Sequence, residues 1–226
     1  MYVRVPPTHT NHQEINGSKR VVQGPFRLSV LDADTGEEKR RLAVESDVGV
    51  GDGMVVGLLT TDWDTEEEKH WAVGLDAETG ERRWRHETPR KEVEHPLIAD
   101  GAIYYGFGAD LIKRDVETGE ELRRYTTSDG HSIDDPRLAD RSVVTRVFRD
   151  DRILAIDRKD GSQLWSYEPG TDLQGTYRLD GDRLLFATKL LDRSTLYVLN
   201  VETGDVDAKQ RVEGTVTRAP LLINDA

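Results

Sequence analysis

The sequence predicts an all-β protein, a β-propeller of four-stranded antiparallel blades. Three observations predict it: a turn phrase that occurs five times, a period near 40 residues, and apolar residues set in short alternating runs. The phrase is an aliphatic residue or its stand-in, then Asp or Asn, then three residues ending in Thr or Asp, then Gly. Its copies are Leu31-Asp32-Ala33-Asp34-Thr35-Gly36, Leu75-Asp76-Ala77-Glu78-Thr79-Gly80, Arg114-Asp115-Val116-Glu117-Thr118-Gly119, Ile156-Asp157-Arg158-Lys159-Asp160-Gly161 and Leu199-Asn200-Val201-Glu202-Thr203-Gly204. Successive glycines lie 44, 39, 42 and 43 residues apart, so one supersecondary unit is repeated about five times.

The third repeat shows the unit most clearly. Pro96 to Ala99 reads as a first strand and Asp100-Gly101 as a two-residue hairpin turn, since Gly tolerates the positive φ such turns need. Ala102 to Phe107 is a second strand rich in β-formers, and Leu111 to Val116 a third after a turn at Gly108-Ala109-Asp110. Glu117-Thr118-Gly119 then opens a polar fourth strand, Glu120 to Tyr125. In the other repeats Asp52-Gly53 and Asp180-Gly181 occupy the first turn, and Asp140-Arg141 departs from it. Second strands are expected at Val55 to Leu59, Val143 to Phe148 and Leu184 to Ala187. Third strands are expected at Trp71 to Leu75, Ile153 to Ile156 and Leu196 to Leu199. The charged fourth strands suit an outer edge that must repel unwanted pairing.

The ends of the chain leave two arrangements open. Met1 to Val5 reads as a second strand, with third and fourth strands at Phe26 to Ala33 and Glu37 to Val44, and Pro6 to Gly24 as a polar loop. Arg218 to Ala226 copies the first strand and turn of a further blade. Either the termini share one blade and close a five-bladed ring, or residues 1–226 are one repeat domain forming part of a larger propeller. The second is favoured, because Asn224-Asp225 ends in a turn without the strand that should follow.

Hydrophobic residues make up 36% of the chain and charged residues 33%, with a net charge of −12. Such acidity argues against nucleic-acid binding, which requires Lys and Arg to neutralise phosphates, and against anionic membrane surfaces. Asp outnumbers Glu and Arg outnumbers Lys. A GC-rich genome and a halophilic, salt-adapted surface both produce that pattern, and the acidity favours the latter. No apolar run approaches the ~20 residues of a membrane span, so no direct membrane insertion is expected. Cysteine is absent, which removes disulfides, thiolate nucleophiles and cysteine-based metal sites. Met1 to Pro7 shows no signal peptide, so a place in the cell envelope would require one upstream.

Two repeats carry Trp four residues after the turn glycine, Trp84 and Trp165, where a flat ring can wedge between blades. Arg40, Arg123 and Ala208 take that position in the other three. The runs Ala72 to Trp84 and Ala155 to Trp165 resemble the tryptophan-docking motif of the pyrroloquinoline-quinone (PQQ) repeat. The similarity covers nearly the whole chain, closely in two repeats and loosely in three. On it the chain is identified as a member of the quinoprotein-alcohol-dehydrogenase-like propeller superfamily. That group also includes the scaffold lipoprotein of the bacterial outer-membrane assembly machine and haloarchaeal repeat proteins.

The resemblance tempts one toward a dehydrogenase. PQQ enzymes hold the quinone between a tryptophan and a vicinal-cysteine disulfide, beside a calcium ion and a catalytic Asp, and a chain without cysteine cannot supply the disulfide. The turn carboxylates Asp32, Asp76, Asp115 and Asp157 sit at repeat-equivalent positions, which suits holding turns. His9 and His12 are spaced to share a metal but have no further ligand in their polar segment, while His70, His86, His95 and His131 share no motif. Asp62 to Lys69 is an acidic insertion without the spacing of a calcium loop, and Trp63 within it could anchor a partner. No phosphate loop, nucleophile elbow or paired-His zinc motif is present. No catalytic, cofactor-binding or metal-binding residue is therefore assigned, no cofactor is expected, and the chain is read as a non-enzyme. The expected function is a non-catalytic scaffold for protein–protein interaction with an unidentified protein partner. A small-molecule or ion-binding sensor module and a fragment of a PQQ-dependent dehydrogenase are the alternatives.

Overall fold

The computed structural model describes the chain except residues 1, 6–9, 16–17, 24–26, 33, 43, 45–47, 62–67, 89–93, 218–219 and 221–226. It is all-β. In chain order come β1 (Tyr2–Val5), β2 (Thr10–Ile15), β3 (Ser18–Gln23), β4 (Arg27–Leu31) and β5 (Glu38–Leu42). Then follow β6 (Gly49–Gly51), β7 (Met54–Thr61), β8 (Lys69–Asp76) and β9 (Arg82–Thr88), and β10 (Glu94–Ala99), β11 (Ala102–Phe107), β12 (Asp110–Asp115) and β13 (Glu121–Thr126). The last eight are β14 (Ile133–Leu138), β15 (Ser142–Val147), β16 (Arg152–Asp157), β17 (Gln163–Tyr167), β18 (Asp172–Asp180), β19 (Arg183–Leu190), β20 (Arg193–Asn200) and β21 (Val206–Glu213).

These strands form a first sheet β1-β4-β5, four sheets of four strands in sequential order (β6–β9, β10–β13, β14–β17, β18–β21), and a separate β2–β3 hairpin. Connections too short for a crossover make neighbouring strands antiparallel. At Asp52-Gly53 and Asp100-Gly101 both residues have positive φ (48° and 72°; 51° and 71°), the signature of a type I′ turn. Two expectations shift. Asp180 pairs with Arg183, so the turn residues there are Gly181-Asp182, one position later than the sequence indicated. The segment expected as a polar loop folds as the β2–β3 hairpin, with Ile15 opposite Ser18. The Asn-Gly pair at 16–17, outside the described residues, is the sequence signal for that hairpin. The further strand expected from Arg218 onward also lies outside the described residues, apart from Pro220.

Burial explains the strand order. The second strands β7, β11, β15 and β19 are buried almost throughout, because a strand covered on both faces becomes a continuous apolar run. The last strands β13 and β21 are exposed along nearly their whole length. Between third and fourth strands the register slips at Val30/Leu31, Gly74/Leu75, Ala155/Ile156 and Val198/Leu199. Each slip immediately precedes the repeated turn, where one extra residue on the outer strand bends it.

The chain divides into two compact units, residues 1–105 with 113–122 and residues 106–112 with 123–226. In the first, Leu28, Val30, Leu42, Val44, Val55, Val73 and Leu75 form a core between the β1-β4-β5 and β6–β9 sheets. In the second, Val144, Ile153, Ala155 and Trp165 of the β14–β17 sheet pack on Leu173, Tyr177, Leu184, Phe186, Tyr197 and Leu199 of the β18–β21 sheet. Phe186 and Tyr197 stack there at 4.9 Å between ring centroids. No helix among the described residues is long and apolar enough to cross a membrane.

Candidate functional site

The five repeated turns share one hydrogen-bond pattern. Asp76 Oδ1 accepts from the backbone N–H groups of Glu78 (2.9 Å) and Thr79 (2.7 Å), and Thr79 Oγ1 accepts from that of Glu81 (3.2 Å). Asp32, Asp115, Asp157 and Asn200 accept from their second and third followers in the same way. A side-chain oxygen two and three residues upstream of bare amides is what stabilises such a turn. The second carboxylate oxygen takes a cation: Lys39 on Asp32 and Arg83 on Asp76, both at 2.6 Å, and Arg141 on Asp157 at 2.9 Å. Those cations, with the turn amides, hold the carboxyls of Asp32, Asp76 and Asp157 below the usual carboxylate range. The carboxylates are therefore engaged in building turns, as their repeat-equivalent positions predicted.

The residue four places after the turn glycine reaches the following repeat. Trp84 donates its indole N–H to the Val116 carbonyl at 2.8 Å, and Trp165 donates to Val201 at 2.7 Å. Each ring lies on the next turn glycine. A Cβ on Gly119 would sit 2.6 Å from Trp84 Cε3, and one on Gly204 would sit 2.7 Å from Trp165 Cδ2. Both glycines also have φ above +70°, so two constraints select glycine at these positions. Where Trp is replaced by Arg123, the guanidinium donates to the Asp160 carbonyl at 2.7 Å and its stem crosses Gly161. A quinone sandwiched between an indole and a vicinal disulfide does not fit these residues. The chain has no cysteine, and both buried indoles face neighbouring turns.

One end of the second unit carries a different chemistry. The β15–β16 connection exposes Phe148, and the end of β19 with the connection that follows exposes Leu190 and Leu191, with exposures of 39%, 64% and 83%. Arg149, Asp151 and Leu191 have φ of 75°, 48° and 59°, a left-handed backbone that L-residues enter at a cost of about 1–2 kcal/mol each. Arg146 ties the β15–β16 connection to β18. It donates to Asp151, to the carbonyls of Leu173 (3.4 Å) and Gly175 (3.5 Å), and stands 5.0 Å from the Phe148 ring centre. Leu173 pairs with Thr188, just before Leu190 and Leu191, so both loops lie at the same end.

The same β15–β16 connection supplies Asp150 to a charged network that sequence reasoning missed. His131 Nδ1 is 2.7 Å from Asp150 Oδ2, and Arg152 bonds Asp129 and stands 3.9 Å from Asp150. The His131 backbone N–H and then the Arg152 charge hold the Asp129 carboxyl below its ordinary range. Asp129, His131 and Asp150 place ligand-type atoms within 4.8 Å of one another. Arg152 already supplies positive charge to that acidic pair, so the network reads as a tie between loops. Only Asp129-x-His131 was visible in sequence; Asp150 and Arg152 arrive through strand pairing.

Among the described histidines, His70 and His86 belong to no shared cluster. His70 sits 3.1 Å from Thr60 Oγ1 and 3.1 Å from Glu68, and His86 Nε2 lies 3.0 Å from the Thr118 carbonyl oxygen. His12 and His95 lie on β2 and β10 with side chains outside the described residues. His9 and residues 62–67, including Trp63, also lie outside them.

A protein-family model described as "outer membrane protein assembly factor BamB" matches residues 16–152 and 149–226. Among solved structures, the chain resembles BamB from Moraxella catarrhalis with a TM-score of 0.53 at 16% identity, covering 93% of this chain and 74% of that one. It also resembles dihydro-heme d1 dehydrogenase NirN, with a TM-score of 0.60 at 14% identity, covering 84% of this chain and 43% of that one. A europium-containing methanol dehydrogenase matches with a TM-score of 0.53 at 14% identity, over 73% of this chain and 41% of that one. The chain thus spans about three quarters of the BamB structure and less than half of either dehydrogenase. No curated protein matches it by sequence. At these identities the likeness shows the fold, a β-propeller of PQQ-type repeats, and that fold hosts scaffolds and enzymes alike.

Proposed function

The chain belongs to the PQQ-repeat family whose model is described as outer membrane protein assembly factor BamB, and from that premise we propose that it is a non-catalytic scaffold for protein–protein interaction. The observation that carries this reading is the apolar end of the second unit, where Leu191 is 83% exposed on a left-handed backbone. Bulky apolar residues at loop tips are unfavourable in water, and strained backbone tends to concentrate where a surface is used. Arg146 and the His131–Asp150 contact hold the Phe148 connection of that surface in place before any partner arrives, which lowers the entropy cost of docking. The turn carboxylates, being bound to backbone amides and cations, support a non-catalytic reading. The acidic charge favours protein over nucleic acid as partner.

Likeness to NirN and methanol dehydrogenase favours a second reading, a dehydrogenase-type propeller. Retention of a native partner by the immobilised chain, compared between wild type and Leu191→Asp, tests the first reading. The substitution should leave the melting temperature unchanged and abolish retention. A quinone-dependent dye reduction, or a rise of several degrees in melting temperature with PQQ and Ca²⁺, would instead establish the second.

A further inference from the structure

The chain contains five Asp-Gly steps, at 52–53, 100–101, 129–130, 160–161 and 180–181. Such a step is reactive in itself, because the glycine amide nitrogen can reach the carboxyl carbon of the aspartate and no Cβ on glycine shields it. Attack requires a carboxyl group free to turn and an amide free of its acceptor. A hydrogen bond to either group therefore guards the step.

Four of the five are guarded. Asp52 Oδ2 accepts from the Gly101 N–H at 2.8 Å, so one bond engages the carboxyl of the first step and the amide of the second. The Asp129 carboxylate is held by the His131 N–H at 3.0 Å and by Arg152, and the Gly130 N–H donates to the Thr127 carbonyl at 3.2 Å. Asp160 Oδ1 accepts from the Ser162 N–H (2.8 Å) and hydroxyl (2.6 Å), while the Gly161 N–H donates to the Asp157 carbonyl at 2.9 Å. The fifth step differs. Among the described residues, neither the Asp180 carboxylate nor the Gly181 N–H has a hydrogen-bond or ion-pair partner. Both residues are exposed, and no described atom lies within 4 Å of where a Gly181 Cβ would be. The turns differ too: Asp52 and Asp100 are turn residues with positive φ, whereas Asp180 ends β18 and Gly181, with φ of 61°, is the first residue of its turn.

We propose that Asp180-Gly181 is a site of spontaneous covalent modification, where aspartate converts through a succinimide to isoaspartate. The Gly181 nitrogen bonds to Asp180 Cγ and gives up its proton, and a carboxyl oxygen departs as water. Water then opens the ring. Opening at the α-carbonyl yields isoaspartate, and opening at the other carbonyl restores aspartate. In the product the main chain runs through Cβ and Cγ, so the two-residue turn that sets β18 against β19 gains one backbone atom. This chemistry is independent of the scaffold reading.

Prolonged incubation of the full folded chain at neutral pH, followed by peptide mapping with electron-transfer fragmentation, tests it. Isoaspartate should accumulate at Asp180 about tenfold or more faster than at Asp52, Asp100, Asp129 or Asp160, since each guarded step must first break a hydrogen bond. In denaturant the five rates should converge. Asp180→Glu, whose longer side chain cannot close the five-membered ring, should melt like the wild type and lose the product at this turn. Asn16-Gly17 forms the same product by losing ammonia, and its peptide is scored apart. Equal accumulation at all five aspartates of the folded chain overturns the proposal. So does an Asp180 that reacts in denaturant but not in the folded chain.

Discussion

Within the second unit, two successive junctions solve one problem with different side chains. At the first, Arg123 and Tyr125 reach across from an exposed strand to the Asp160 carbonyl and to Gln163. At the second, Trp165 is 8% exposed, packs among Ile153, Ala155, Tyr177 and Phe186, and satisfies the Val201 carbonyl. Both side chains start four residues after a turn glycine and end on the next turn. Burial of an indole excludes water from its hydrogen bond, whereas the guanidinium bond competes with solvent throughout. The same geometric slot therefore yields a strong junction and a weak one.

The largest test of that contrast is Trp165→Ala. It removes a buried aromatic and leaves the Val201 carbonyl without its donor, so chemical denaturation should show a loss of about 3–5 kcal/mol. Arg123→Ala removes one solvent-exposed hydrogen bond and should cost less than about 1 kcal/mol. Equal losses for the two substitutions would break the comparison.

A smaller effect concerns the turns that receive these side chains. The carboxyls of Asp32, Asp76 and Asp157 have folded pKa values depressed by Lys39, Arg83 and Arg141. Groups depressed in the folded state stabilise it fully above the unfolded carboxylate pKa of about 4 and lose that contribution as pH falls through the folded values. Melting temperature should therefore decline as pH drops below about 4. Asn200 is a built-in control, since it keeps the turn bonds without a charge. By that logic Asp76→Asn should retain most of the stability at neutral pH and flatten part of the acid decline. A variant with an unchanged acid profile would remove Asp76 from the account.

Legibility in the sequence followed the repeat. The glycines, the Asp and Asn residues of the turns and Trp84 and Trp165 each have a chemical reason to recur at a fixed offset, so the periodicity alone exposes their roles. The second and third strands were legible for the same reason. Phe148, Leu190 and Leu191 were not, because a short apolar run at a strand end looks identical whether its last residues are buried or exposed. The His131–Asp150–Arg152 network joins residues brought near by cross-strand register, which no local pattern encodes. The β2–β3 hairpin was missed because its polar strands lack the apolar alternation that marked the others, although Asn16-Gly17 marked its turn.

Trp84, Arg123 and Trp165, each four places after a turn glycine, fasten successive sheets together, most firmly where the residue is Trp. Hydrogen exchange of the indole N–H groups, followed by NMR, tests it most directly. The account predicts that Trp84 and Trp165 exchange only through opening of the fold, far more slowly than a free indole. Exchange of both at the free-indole rate would contradict it.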